Sequence, residues 1–245
     1  MQKKVVAIIP ARYNSTRFPH KLLKKILNIP IIISVYNNVK QTKEIEDVIV
    51  ATDSKEIFDI CREYNAKVVM TSEHHTSGTS RIIEVAKNID CDIVINVQGD
   101  EPLINSDILS SIIKSFDDDK VDISTLKKKI EKDSVLINDE NTVKVVCDIN
   151  DYAMYFSRAT IPHRRSDNSI LVDYYKHIGV YAFRHDVLLN IEKLKDSDYE
   201  KIESLEQLKW LYNGLKIKVL ETDSFIHGVD TEEDLNIVEQ YIKNL

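Results

Sequence analysis

Glycine is scarce, with five in 245 residues. Neither G-x-G-x-x-G nor G-x-x-x-x-G-K-[ST] occurs, which excludes the familiar glycine-rich cradles for dinucleotides and nucleoside triphosphates. Cysteine is scarce too, and odd in number: Cys61, Cys91 and Cys147 are scattered, without zinc-like spacing. They are expected to be buried free thiols in a reducing compartment rather than a disulfide framework. No apolar run has the length of a membrane span or secretory leader, so the expectation is a cytoplasmic protein without membrane insertion. Internal repeats, low-complexity tracts and flexible linkers are missing as well. One absence is local. No acidic residue precedes Glu44, whereas nine Lys and Arg do, so the formal charge is about +9 up to Lys43 and −16 afterwards, within a net charge of −7. That net charge argues against a general nucleic-acid partner.

What is present suits one α/β domain spanning 1–245, with a β-rich lobe within about 117–184, and a chain of this length buries a core without disulfides or metal. Val5–Ile9 is an unbroken apolar run, the pattern of a strand buried on both faces of a parallel sheet, and Pro10 is expected to end it. Strand-like and helix-like stretches then alternate. Helices are expected at Ile31–Val39, Lys55–Tyr64 (capped by Ser54), Gly78–Asn88 and Ser106–Phe116. Strands are expected at Asp47–Asp53, Lys67–Thr71 and Asp92–Gln98. This succession predicts a parallel, right-handed sheet. After Phe116 the rhythm turns to strands: Asp122–Lys128, Thr142–Asp148, Tyr152–Arg158 and Lys176–Arg184. Asp148–Asp151 forms a turn, and a polar loop falls at Ser166–Asn168. Helices Glu200–Tyr212 and Glu232–Lys243, with strand Lys216–Glu221 between them, close the chain.

Two stretches carry chemistry. The loop after the first strand holds Arg12, Arg17 and Lys21 where open α/β sheets bind ligands. Its charge fits a phosphate clamp or a solvated basic surface equally. In Asn96–Pro102, NVQGDEP, a buried strand ends in Gly-Asp, so Asp100 emerges on that same edge. Opposite a phosphate clamp it is a natural Mg²⁺ ligand, because Mg²⁺ takes one or two carboxylates plus phosphate oxygens. A plain turn aspartate is the alternative. Asp230 could add a second carboxylate, although Asp230 or Thr231 also reads as an N-cap, with Glu233 or Asp234 completing a capping box. Ser77, Gly78 and Thr79 open a helix with Arg81, either as a ligand-holding end or as simple capping. His74 and His75 have no acid partner in view and carry no catalytic role. Arg158, His177, Tyr181, Glu206 and Gln207 are polar residues in otherwise apolar stretches.

Read together, IPARYNSTRFP at 9–19, HTSGTSR at 75–81, NVQGDEP at 96–102, FSRATIP at 156–162, HIGVYAFR at 177–184, ESLEQL at 203–208 and GVDTEEDL at 228–235 resemble the 3-deoxy-manno-octulosonate (Kdo) cytidylyltransferases of lipopolysaccharide synthesis. The resemblance runs from end to end. It implies a Rossmann-like nucleotidyltransferase fold with a mixed, mostly parallel sheet and a small β-rich lobe for dimerisation and sugar binding. It further implies a homodimer, Mg²⁺ dependence, and the reaction CTP + Kdo → CMP-Kdo + pyrophosphate. By that resemblance Arg12, Ser15, Arg17 and Lys21 hold the triphosphate, and Ser77, Arg81 and Gln98 surround the cytidine. Asp100 and Asp230 bind metal. Arg158, His177, Tyr181, Glu206 and Gln207 meet the sugar acid. Arg17, Lys21, Asp100 and Asp230 form the catalytic set. The chain departs from the family's Pro-Gly-Lys-Pro-Leu, reading Pro19-His20-Lys21-Leu22-Leu23, and diverges again over His163–Asp173. The missing glycine restricts the backbone where a phosphate should approach. Cytidylyl transfer to another sugar acid, such as 8-amino-Kdo, and a silent nucleotide-binding regulator are the competing readings.

Overall fold

A computed structural model describes residues 3–13, 18–165 and 172–244. Contacts divide the chain into two compact units. The first comprises Met1–Ile113, Arg184–Leu189 and Ser224–Leu245, and the second Lys114–Phe183 and Asn190–Asp223.

In the first unit β1 (Val5–Ala11) is buried throughout. The short hairpin β2 (Lys25–Ile26) and β3 (Ile29–Pro30) follows, then α1 (Ile31–Lys40), β4 (Ile45–Thr52), α2 (Lys55–Glu63), β5 (Val68–Met70), α3 (Gly78–Ala86), β6 (Ile93–Asn96) and α4 (Ser106–Ser115). The strands run β6-β1-β4-β5, all parallel, as the apolar runs and intervening helices predict. Ile31, Ile32, Val35 and Val39 of α1 and Ile82 and Ala86 of α3 are fully buried. Ser54 caps α2 as expected, its hydroxyl accepting the Ile57 N–H at 3.3 Å. One expectation is corrected: β1 continues through Pro10, which pairs with Ala51 of β4. On its other side β1 pairs with β6 only as far as Ile8 opposite Asn96, so the N–H that proline lacks has no ladder partner to lose.

The second unit holds β7 (Ile123–Lys129), β8 (Lys144–Cys147), β9 (Ala153–Ser157) and β10 (Tyr175–Arg184). The chain then passes through α5 (His185–Asn190), largely in the first unit. It returns for α6 (Asp198–Glu203), α7 (Glu206–Tyr212) and β11 (Ile217–Glu221), and ends in the first unit with α8 (Glu232–Lys243). Here the sheet is mixed: β11 lies parallel to β7, β7 antiparallel to β10, and β8 antiparallel to β9 and β10. Phe156, Phe183 and Trp210 fill its core. The Asp148–Asp151 turn forms as expected, with the Asp148 carboxylate accepting the Asn150 and Tyr152 N–H groups. The single helix expected over Glu200–Tyr212 is two. Ser204 adopts a left-handed conformation (φ 52°), and Leu205 N–H closes back on the Glu200 carbonyl, which ends α6 and restarts the chain as α7.

The three cysteines are free. Cys61 and Cys91 are buried as expected, whereas Cys147 is only half-buried, at the end of β8 beside the Asp148 turn. Burial pushes the Cys61 thiol up to about 12 and the other two to about 11, which makes all three poor nucleophiles. No helix among the described residues is long and apolar enough to cross a membrane.

Candidate active site

Three charged side chains from distant parts of the sequence meet beyond the C-terminal edge of the first unit's parallel strands. Asp100 lies in the tight turn after β6, closed by Glu101 N–H on the Gln98 carbonyl at 3.2 Å. Gly99 allows that turn: a Cβ there would stand 3.2 Å from both the Pro10 carbonyl and Ile32 Cδ1. Asp230 immediately precedes the N-cap of α8. Val229 N–H donates to the Asp100 carbonyl at 2.9 Å, which stitches the two acidic loops together. Lys21 opens a single 3-10 turn, Lys21–Leu23. Its ammonium donates to Asp230 Oδ1 at 2.8 Å and also to Asp100 Oδ2. Burial alone would lower the lysine's pKa, but the charges and hydrogen bonds of Asp100 and Asp230 outweigh it and raise the pKa above the ordinary value.

Both carboxylates therefore lie within reach of one cation. Two oxygen donors opening on a cleft suit Mg²⁺, which completes its shell with water and phosphate rather than a protein cage. No cluster of three or more metal-ligating side chains exists among the described residues.

The cleft, about 270 Å³, is lined by the charged Arg12, Lys21, Asp100 and Asp230 and by the uncharged Ser77, Gly78 and Gln98. Arg12 is exposed. Ser77 caps α3, accepting Ser80 N–H at 3.2 Å, while Ser80 Oγ accepts Ser77 N–H at 3.4 Å. Gln98 donates to Asn96 Oδ1 at 3.3 Å. Arg81 lines the cleft but is 3% exposed, and its guanidinium is tied to Asp53 at 2.5 Å and Thr71 at 2.6 Å. It braces the wall. Ser15 and Arg17 lie outside the described residues, as does the Ser166–Asn168 loop.

His75 corrects the sequence reading. It lines the same cleft and does have an acid partner: its Nε2 lies 2.5 Å from Glu84 Oε2, and the same oxygen accepts Ser72 N–H at 3.0 Å. The hydrogen bond from His75 holds the Glu84 carboxyl below its ordinary range. Glu84 lies nine residues on, in α3, while His75 precedes that helix, so no helical spacing linked the two in the sequence.

The remaining site candidates belong to the second unit. His177 Nε2 meets Thr125 Oγ1 at 3.0 Å, and that hydroxyl also lies 2.8 Å from the Val180 carbonyl and 3.1 Å from that of Ile178. With the hydroxyl proton spent on a carbonyl, His177 is the donor to Thr125, leaving Nδ1 as an acceptor. Burial pushes its pKa down to about 3, so the ring is neutral at physiological pH. The Tyr181 ring packs 5.3 Å from His177 and 5.0 Å from Trp210. Its hydroxyl is buried with no hydrogen-bond partner among the described residues. Burial, and then the Glu206 charge, raise its pKa. Glu206 and the buried Gln207 form the first turn of α7. Arg158 follows β9, with Nε on the Glu203 carbonyl at 2.7 Å and Nη1 on that of Glu140 at 3.0 Å.

The cytidylyltransferase family profile matches residues 6–217. A 3-deoxy-manno-octulosonate cytidylyltransferase of Fusobacterium nucleatum is 46% identical over 98% of this chain and 97% of its own length. One of Koribacter versatilis is 43% identical over 98% and 91%. This chain belongs to the 3-deoxy-manno-octulosonate cytidylyltransferase family. A solved CMP:2-keto-3-deoxy-manno-octonic acid synthetase complexed with CTP superposes with a TM-score of 0.93 at 37% identity, covering 98% of this chain and 99% of that one. A 4-diphosphocytidyl-2C-methyl-D-erythritol synthase from Anaerococcus prevotii, 18% identical with a TM-score of 0.66, shares the fold.

Against the family's loop pattern, His20 stands where glycine is usual, and it adopts φ 56° and ψ 28°, the left-handed region. The glycine-like backbone is thus kept with an L side chain, and the ring leans on Tyr13 at a centroid distance of 4.3 Å. Lys21 reaches both carboxylates regardless of the substitution.

Proposed function

We propose that this chain transfers CMP from CTP to Kdo with Mg²⁺ at Asp100 and Asp230, releasing pyrophosphate. We further propose that it acts as a cytoplasmic homodimer supplying lipopolysaccharide synthesis. The observation that carries the metal assignment is the convergence of Asp100 and Asp230 on one lysine beyond the strand ends. The buried Tyr181 hydroxyl without a partner supports a polar ligand in the second unit.

The anomeric hydroxyl of the sugar acid attacks the α-phosphorus of CTP. The bond from α-phosphorus to the bridging oxygen breaks, and pyrophosphate leaves. This chemistry needs alignment and neutralisation of charge more than covalent help. When bound, Mg²⁺ supplies Lewis-acid neutralisation of the phosphate oxygens. Lys21, Arg12 and Arg17 offset the charge gathering on the leaving pyrophosphate. Ser77 and Gln98, which line the cleft, face the nucleoside, and Arg81, held by Asp53, braces the wall. Arg158, with Nε and Nη1 held by backbone carbonyls, presents its Nη2 donors to the sugar carboxylate as a charge-assisted hydrogen bond. Neutral His177, Tyr181, Glu206 and Gln207 orient the sugar hydroxyls.

The test is pyrophosphate release with CTP, Mg²⁺ and Kdo, run beside 8-amino-Kdo, N-acetylneuraminate and a no-sugar control. Release with Kdo supports the assignment. A preference for 8-amino-Kdo moves the substrate, and CTP binding without release in any arm points to the silent regulator.

A further inference from the structure

Lys144 on β8 is fully buried, at 0% exposure. Its ammonium donates to the carbonyls of Thr142 at 2.5 Å, Arg158 at 2.6 Å and Asp139 at 2.7 Å. An ammonium has three donors, and all three end on backbone oxygens rather than on a carboxylate. Burying a charge on such terms is costly, and burial pulls the lysine's pKa below its ordinary value against the pull of Asp139 and Glu203. A group that merely filled space here would be apolar.

The three carbonyls show what the charge does. Two belong to the turn at Asp139–Thr142 and the third to Arg158, so Lys144 ties that turn to the end of β9. The same turn, together with the end of α6, holds the Arg158 guanidinium. Nη1 donates to the Glu140 carbonyl inside the turn, and Nε to the Glu203 carbonyl. That second acceptor is available because α6 ends at Glu203. Meanwhile the Glu203 carboxylate accepts Arg158 N–H at 2.9 Å and the Ser157 hydroxyl at 2.6 Å. Arg158 is thus fixed at its N–H by Glu203 and at its carbonyl by Lys144. Two guanidinium edges are braced, and Nη2 has no hydrogen-bond partner among the described residues.

We propose that Lys144 is a positioning residue for sugar-acid binding, its buried ammonium clamping the Asp139–Thr142 turn to Arg158 so that the guanidinium presents Nη2 at a fixed angle. The proposal rests on the reading of Arg158 as the ligand of the sugar carboxylate. Lys144 itself touches no substrate.

The test uses the full-length enzyme with Lys144→Met, Lys144→Gln (which keeps two donors), Arg158→Ala and the double variant Lys144→Met/Arg158→Ala. Lys144→Met should raise the KM for Kdo about tenfold or more, the scale of a charge-assisted hydrogen bond, while moving the KM for CTP by less than about twofold. Lys144→Gln should recover part of the loss, and Lys144→Met should add nothing once Arg158 is alanine. Multiplying effects in the double variant would overturn the proposal. So would parallel rises in both KM values, an unchanged KM for Kdo, or failure of both Lys144 variants to fold. If Arg158→Ala leaves the KM for Kdo unchanged, it is the reading of Arg158 that falls.

Discussion

Lys21 neutralises two carboxylates that would otherwise repel each other, so the two acidic residues have different dispensability for folding and for turnover. Asp100→Asn leaves Lys21 paired with Asp230. The expected outcome is a folded protein with an unchanged urea midpoint and turnover reduced roughly 100-fold or more, the scale of losing one charge-stabilising group. Near-normal turnover at saturating Mg²⁺ would remove Asp100 from the metal site. His20 sits in the left-handed region, which costs an L residue about 1–2 kcal/mol. His20→Gly should therefore stabilise the protein by about 0.5–1 kcal/mol once glycine's greater unfolded-state freedom is subtracted, as read by urea unfolding. His177 gives a pH dependence. The unfolded chain takes up a proton near pH 6.5, whereas the native ring waits until about 3. Stability is thus lost as pH falls through that window, by on the order of 1 kcal/mol per pH unit for this half-buried ring. Comparing wild type with His177→Gln at pH 7 and pH 5 isolates the contribution. Equal acid losses in the two proteins would contradict it.

Among the elements, α8 does two jobs at its first turn. Thr231 and Asp234 form the capping box, and the Asp234 carboxylate also accepts Asp230 N–H at 3.0 Å, which sets the approach of the metal-site loop. Thr231→Ala should cost about 1 kcal/mol in urea unfolding. The capping role of Thr231 was legible, because T-x-x-D before an apolar stripe is a local signal. The break between α6 and α7 was not. Glu200–Tyr212 has helical composition throughout, and the left-handed turn at Ser204, which frees the Glu203 carbonyl for Arg158 Nε, is a tertiary feature with no local signal. The same distinction holds elsewhere. The strands of the parallel sheet show in continuous apolar runs, whereas the passage of β1 through Pro10 depends on where β6 ends. The His75–Glu84 pair leaves no local mark, because His75 lies in the loop before α3 and Glu84 within that helix. Asp100 and the Lys21 loop, 79 residues apart, were brought together by the strand edge they share, whereas Asp230, 209 residues from Lys21, read equally as a cap and was placed with them by the family's pattern.

For the whole molecule, an acidic chain with a basic N-terminal stretch has a clear consequence. The first 43 residues carry about +9 against −16 elsewhere, but Lys3, Lys4 and Lys43 gather beside Glu44 and Glu46, and Arg12 and Lys21 are the cations of this stretch that line the cleft among the described residues and attract a triphosphate. The KM for CTP should rise with added NaCl, since screening shortens the reach of this field to about 8 Å at physiological salt. The most direct measurement is pyrophosphate release by the purified chain with CTP, Mg²⁺ and Kdo. Release should require Kdo, stop in EDTA, return with Mg²⁺, and fall roughly 100-fold or more in Asp100→Asn. Kdo-dependent release that persists in EDTA, or at a near-normal rate in Asp100→Asn, would contradict the metal assignment.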